Sequence, residues 1–319
     1  MKVTQQTAPQ KARPGKLALL LAFAVIYVVW GSTYLAIRYA VETIPPLLAV
    51  VLRQGLAGMA IFAYAWRRGY RPTGREWRAS AVLGLLYFAI GHGTLHWAET
   101  VVPSGLAALL TATEPIWIAA MMAMVSREER FTVQTTLGLL LGVAGVALLL
   151  RADAGPGHRH LLFGCIVLLT GTVSWSVGVI YSRNAALPRD PVARAGMSAM
   201  TGAALLFVAA VGSGEVLHTH PGSFSARSIW ALLYLIVFGS ILAFTTYTWL
   251  LDHCSPTLVA THTYANPIIA VLLGWLFAGE TLDRHLLLAG LITLVAVFLI
   301  SRGTGEKQAL AAERSARAA

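Results

Sequence analysis

Glu114 stands midway along an apolar run, within Leu110 to Trp117, and Pro115 follows it directly. An ionisable group inside a bilayer is costly and is functional by default. The proline removes one helix hydrogen bond and frees a carbonyl nearby. A carboxylate beside freed backbone can bind a cation or carry a proton; the alternative is a protonated Glu114 that only bonds a neighbouring helix. Asn266-Pro267 repeats the arrangement in the second half of the chain, with kinks expected at Pro115 and Pro267. His92 and His96 are four apart and share a helix face, with Glu99 three residues further. This face could relay protons, line a polar cavity or hold a metal. A metal would need further ligands, and Gly93 stands where the zincin pattern requires glutamate. Histidines satisfied by neighbouring helices are the structural alternative. Arg53 lies early in another apolar run, where it could bind a carboxylate, pair with a buried acid or snorkel to the interface. His262 sits among Thr261, Thr263 and Tyr264. Trp30, Tyr34, Trp117, Trp175, Tyr247 and Tyr264 lie deep or beside polar residues and could line a cavity, whereas Trp66, Trp77 and Trp230 fit interface anchors.

The elements that must position these groups are ten apolar stretches: Leu17–Ile37, Pro46–Trp66, Ser80–Ala98, Ser104–Val125, Val133–Leu150, Leu161–Ser182, Val192–Val211, Ile229–Leu251, Pro256–Ala278 and Leu286–Ser301. A bilayer core needs roughly 20 apolar residues of helix. Only 12% of the 319 residues are charged and 57% are apolar. The mean hydropathy is +0.68. In lipid the backbone must satisfy itself, so helices or a closed barrel are the options; continuous rather than alternating runs exclude the barrel. The chain is therefore an all-α integral membrane protein. The run from Lys16 to Ile37 is too long for a signal-peptide core. Cys165 and Cys254 fall on different helices, so a structural disulfide is not expected. Gly138 with Gly142, and Gly55 with Gly58, allow close helix approach. No phosphate-binding loop, cofactor motif, voltage-sensing helix or filter sequence is present in the chain.

The net charge of +10 would suit nucleic acid, but the basic residues sit in short loops and tails, where they set membrane orientation. With the N-terminus cytoplasmic, 18 of the 24 Lys and Arg fall on the cytoplasmic side and five on the other, with Arg53 inside a span. Both termini are expected in the cytoplasm.

A shift of 152 residues brings Thr111 onto Thr263, Pro115 onto Pro267, Glu128 onto Glu280 and Gly138 onto Gly290. A shift of 145 brings Trp30 onto Trp175 and Arg38 onto Arg183. The expected organisation is a tail at 1–16, a first five-helix repeat at 17–150, a second at 161–301 and a tail at 302–319. Five is odd, so the copies insert with opposite orientation. Inverted repeats mark secondary transporters, with the substrate site between the halves.

Trp30-Gly31-Ser32-Thr33-Tyr34, Pro45-Pro46 with Arg53, Val102-Pro103-Ser104-Gly105, Ser174-Trp175, Phe238-Gly239-Ser240, Ser255-Pro256, Asn266-Pro267 and Gly279-Glu280-Thr281 occur in an order that resembles the EamA-type drug/metabolite transporter superfamily, and within it the YedA-like exporters. The resemblance covers nearly the whole chain. It implies two inverted five-helix repeats and export of small metabolites, amino acids or drugs across the bacterial inner membrane. It also implies cavity or gate roles for Trp30, Ser32, Tyr34, Arg53, Glu99, Trp175 and Asn266. Glu114 departs from the family, which usually carries an uncharged residue there; His92, His96 and His262 also look particular to this chain. The expectation is a secondary exporter working by alternating access, with Glu114, and with it Glu99, as candidate proton carriers. Its partners would be a small-molecule substrate, the bilayer and protons, without nucleic acid; a monomer suffices. The alternatives are an uncoupled uniporter and an intramembrane metal-dependent enzyme built on His92, His96 and Glu99.

Overall fold

The computed structural model of the chain describes residues 15–125, 133–151, 158–254, 259 and 261–318. The N-terminal tail before residue 15, Arg127, Glu128, Arg130 and Ser255-Pro256 lie outside the described residues. No strand occurs among the described residues. Seven helices are long and apolar enough to cross a membrane, and three shorter apolar helices cover Val133–Leu148, His262–Ala278 and Arg284–Ile300.

Helix α1 is Lys16–Ala40 and α2 is Pro46–Arg67. Pro46 opens α2 at a position whose N–H would be unpaired anyway. The next two N–H groups, of Leu47 and Leu48, are capped from afar by Glu215 Oε2 at 2.9 and 3.1 Å. Helix α3 runs Gly74–Ala98. It starts six residues before the apolar run at Ser80, because Thr73 and Glu76 form a reciprocal capping box. Its middle, Leu85–His92, is a π turn. The fourth apolar stretch is two helices rather than one: α4, Ser104–Thr111, and α5, Glu114–Val125. Helices α6, Val133–Arg151, α7, His158–Ser182, and α8, Pro191–Gly212, follow. Asp190 caps α8 through Val192 N–H at 3.2 Å. Helix α9 consists of Ala226–Tyr234, a second π turn at Leu235–Leu242, and Ala243–His253. Helix α10 is His262–Ala278, and α11, Arg284–Ala318, continues well past its apolar part.

Lipid offers no hydrophobic drive between helices, so small residues must let backbones meet. The α3–α8 crossing shows this: a Cβ on Gly84 would stand 2.5 Å from the Ser198 carbonyl, and one on Gly202 2.6 Å from the Gly84 carbonyl. The surface is apolar, with Val208, Leu140 and Leu291 at least 60% exposed. The polar residues are inside: Arg53, Gln54, His96 and Glu99 are all buried. This inside-out distribution is what lipid-facing helices require. Both cysteines are free thiols.

Candidate functional site

An aromatic seam runs through the centre of the bundle. Trp30 of α1 meets Tyr247 of α9 at 5.0 Å between ring centroids and His262 of α10 at 4.9 Å. Tyr247 continues to Phe244 at 6.1 Å, Phe244 to Phe88 of α3 at 6.2 Å, and Phe88 to Trp175 of α7 at 6.2 Å. Trp175 stacks on Tyr87 at 4.2 Å and on His92 at 5.5 Å. Both tryptophans also touch the backbone of a π turn. The Trp30 indole donates to the Gly239 carbonyl at 3.2 Å, inside the π turn of α9. Trp175 lies over Gly91 in the π turn of α3, where a Cβ would come within 3.3 Å of its ring. Ser174 donates to the Leu86 carbonyl of the same turn at 2.9 Å. A π turn displaces backbone carbonyls from the regular ladder and recurs at functional sites; here side chains of another helix take up the displaced groups.

Beside the seam lies a buried polar layer. Gln54 Nε2 donates to His92 Nδ1 at 2.8 Å. His96 Nδ1 donates to the His92 carbonyl at 2.9 Å. Arg53 Nε donates to Ser240 Oγ of α9 at 3.0 Å. The charges acting on Glu99 are those of Glu280, Arg38 and Arg53. Among the described residues no group of three or more His, Cys, Asp and Glu is placed to hold a metal.

Glu114 is half-buried at the first turn of α5. The break before it is stitched locally: Thr113 Oγ1 donates to the Leu110 carbonyl at 2.6 Å and accepts from the Trp117 indole at 3.0 Å. Pro115 therefore does not kink a continuous helix; it is the second residue of a new one, where a missing N–H is harmless. Ser176 of α7 donates to the Glu114 carbonyl at 3.4 Å. The Glu114 carboxyl acts electrostatically on Tyr34, Tyr87 and Tyr247, on three other helices. Pro267, by contrast, lies inside α10. Asn266 before it is buried, with Oδ1 unpartnered.

The structure thus groups Trp30, Tyr247 and His262 at one end of the seam and Trp175 and His92 at the other, joined through Phe244 and Phe88; His96 lies 6.0 Å from His92, Arg53 bonds beside the Trp30 contact, and Tyr34 packs with Ala107, Ala108 and Leu168. It places three candidates elsewhere. Ser32 bonds the Tyr234 hydroxyl at 2.7 Å in a lateral groove of about 440 Å³ between α1 and α9. Tyr264 donates to the Val297 carbonyl at 2.9 Å and packs on α11. Trp117 turns back on the helix break. The residues missed from sequence are Gln54, Tyr87, Phe88, Ser240 and Phe244. Gln54 had a signal, a second polar residue beside Arg53 in an apolar run; the aromatics had none.

The EamA-like transporter family matches residues 16–151 and again 162–302. Over 289 residues the chain is 34% identical to the uncharacterised inner membrane transporter YedA of Escherichia coli (strain K12), covering 90% of this chain and 92% of that one. It is 23% identical over 288 residues to the uncharacterised transporter YoaV of Bacillus subtilis (strain 168), covering 88% and 96%. An uncharacterised transporter of Archaeoglobus fulgidus is 24% identical over 287 residues, covering 89% and 96%. One crystal structure shares the fold with a TM-score of 0.61 at 22% identity, covering 89% of this chain and 96% of that one.

Proposed function

The chain belongs to the EamA-like transporter family, and from that premise we propose that it is a secondary transporter exporting small metabolites, amino acids or drugs by alternating access. A membrane transporter is what its family and relatives are, which points away from an enzyme. The proposed architecture is ten membrane helices in two inverted five-helix repeats, 17–150 and 161–301. Three observations support it. The family matches the chain twice. Three shorter apolar helices accompany the seven long ones. The π turns at Leu85–His92 and Leu235–Leu242 lie 150 residues apart, each touched by the tryptophan of the opposite half. Substrate would bind at the seam between the halves, which rock to expose it to either side. The proposed location is the bacterial inner membrane, as for YedA, with both tails cytoplasmic on the Lys and Arg asymmetry.

Protons are the proposed drive, and Glu114 the proposed carrier. The observation that carries this is the position of Glu114: a half-buried carboxyl at a helix break, whose carbonyl accepts from Ser176 of α7. Among the described residues no Lys or Arg forms an ion pair with it. A carboxyl so placed can bind and release a proton as the cavity changes sides. Counterflow in proteoliposomes, followed by an imposed pH gradient, is the test. Glu114→Gln should abolish pH-driven flux and leave counterflow within about twofold of wild type. Unchanged pH-driven flux in Glu114→Gln would remove the assignment and leave uniport.

A further inference from the structure

Five arginines stand within residues 67–78, the segment that joins α2 to α3. Arg67, Arg68, Arg71, Arg75 and Arg78 are all exposed, and none forms an ion pair among the described residues. The one acid of the segment is engaged inside it. Glu76 Oε1 accepts from the Tyr70 hydroxyl, and Oε2 accepts from Thr73 N–H at 2.6 Å and Thr73 Oγ1 at 2.9 Å. Asp190, whose charge reaches Tyr70, caps α8. Two arginines at the opposite end of the bundle are compensated instead: Arg38 has Glu280 and Arg227 has Glu42.

The segment lies where a bilayer carries its phosphates. Helix α2 has 22 residues, about 33 Å at the helical rise, enough to cross the apolar core. Its last turns expose Tyr64 at 55% and Trp66 at 46%, as aromatics do at the membrane interface. Arg71 is built onto this belt. Its guanidinium carbon lies 3.9 Å from the centre of the Trp66 ring. Its Nη1 donates to the Trp66 and Tyr70 carbonyls, both at 2.9 Å. Two carbonyls take up the two Nη1 hydrogens, and the Nε–Nη2 edge has no partner among the described residues. That edge is the planar fork that matches two oxygens of a phosphate. Arg68 stands 5.6 Å over the Tyr64 ring. Phe62 packs on Trp66 at 6.0 Å and on Trp77 of α3 at 5.4 Å. Gly196 of α8 closes on Phe62, where a Cβ would stand 2.7 Å from its backbone nitrogen. The belt under Arg71 is thus braced by α3 and α8.

We infer that this segment is a docking surface for an anionic phospholipid, with the phosphate on the free edge of Arg71 and the acyl chains along Tyr64 and Trp66. Charge complementarity names the occupant. Uncompensated basic charge beside a membrane helix attracts anionic lipid, and each arginine near the surface strengthens binding by about fivefold. A zwitterionic lipid brings its own cation against the arginines, so the surface discriminates by headgroup. A free phosphate meets the Arg71 fork but gains nothing from the exposed aromatics. The docking needs only a membrane-spanning α2, and holds whether or not the chain transports.

The test uses the full chain in detergent micelles and native mass spectrometry, which counts bound lipids. The probes are dioleoyl phosphatidylglycerol and dioleoyl phosphatidylcholine at equal concentration, with glycerol phosphate as the soluble competitor. Wild type should retain phosphatidylglycerol about tenfold or more over phosphatidylcholine. Arg71→Gln should cut that preference by about fivefold or more. Arg71→Lys keeps the charge but loses the fork, so it should recover only part. The double variant Arg75→Gln with Arg78→Gln leaves the Trp66 contact in place and should also lower the preference; it carries the test should Arg71→Gln fail to fold. Arg284→Gln removes an exposed arginine at the opposite end and should change nothing. Equal retention of both lipids by wild type, or equal losses in Arg71→Gln and Arg284→Gln, would overturn the docking surface. Displacement of phosphatidylglycerol by glycerol phosphate at equal concentration would overturn the lipid as occupant, and displacement by an RNA oligonucleotide would turn the patch into a nucleic-acid surface.

Discussion

Glu280→Ala should destabilise the protein by about 3 kcal/mol, although Glu280 lies in a loop. The figure follows from what the carboxylate holds. Gly279, with φ of +66°, ends α10 and turns Glu280 toward the start of α4. There Oε1 accepts from Ser104 N–H at 2.7 Å and Ser104 Oγ at 2.8 Å, and Oε2 accepts from Gly105 N–H at 3.0 Å. Arg38 Nε adds a weaker contact at 3.7 Å. Loss of a helix cap alone costs about 1 kcal/mol. Hydrogen bonds to a charged group are worth about 1.5–3 kcal/mol each, and they do not add fully. Ser104 is 0% exposed and the Glu280 side chain 11%, so water has little access to the N–H groups left behind. At about 2 °C per kcal/mol for a chain of this size, the melting temperature should fall by about 6 °C. Arg38→Gln is the control: its contact is long and its side chain 34% exposed, so the loss should be below about 1 kcal/mol. The assay is thermal unfolding in detergent, followed by tryptophan fluorescence. A Glu280→Ala protein that melts with wild type, or no earlier than Arg38→Gln, would refute the assignment of Glu280 as the cap that ties α10 to α4.

Gly84→Ala should cost about 1–3 kcal/mol through overpacking, since its Cβ would stand 2.5 Å from both Ser198 O and Thr201 Oγ1; Gly212→Ala, with nothing within 4 Å, should be neutral or slightly stabilising in the same melt. Partial burial raises the Glu215 carboxyl above its usual 4.5, against the pull of the Leu48 and Leu47 N–H groups. The folded state then holds this proton to higher pH than the unfolded chain, so its stabilising effect is full below 4.5 and is lost as pH rises through the folded value. Acidification from pH 7 to pH 5 should therefore raise the wild-type melting temperature relative to Glu215→Gln; a parallel shift in both proteins would contradict it.

What could be read in the sequence and what could not divides along physical lines. Apolar runs announce membrane helices because lipid forbids unpaired backbone, and the polar residues inside them, Arg53, His92, His96, Glu99 and Glu114, stand out by their cost. The early start of α3 was missed, although Thr73 and Glu76 have the spacing of a capping box. The break at Ala112-Thr113 was not legible. The residues around it read as one apolar helix with an internal proline, and what ends α4 is a local exchange of bonds among Leu110, Thr113 and Trp117. The π turns were equally silent: Leu85–His92 is an ordinary apolar octet by composition.

The two π turns also bear on how the proposed halves could move. Each turn presents irregular backbone to a tryptophan of the other half, and the two contacts differ in kind. Trp175 meets Gly91 by packing alone, and stacked rings can slide with small loss. Trp30 is fixed to the Gly239 carbonyl by a directional hydrogen bond, which weakens steeply once misaligned. The rest of the seam is ring on ring, through Tyr247, Phe244, Phe88 and His92. Ser174 makes a second directional bond, to the Leu86 carbonyl of the α3 turn at 2.9 Å, so both π turns are tied across the seam; on the α1–α9 side Arg53 bonds Ser240, one residue further along the turn from Gly239. Under the proposed alternating access the ring contacts would shear, while the Trp30 and Ser174 bonds would be kept or broken outright. Under that proposal, a ligand engaging Arg53 would act beside the Trp30 bond, a physical route from binding to movement.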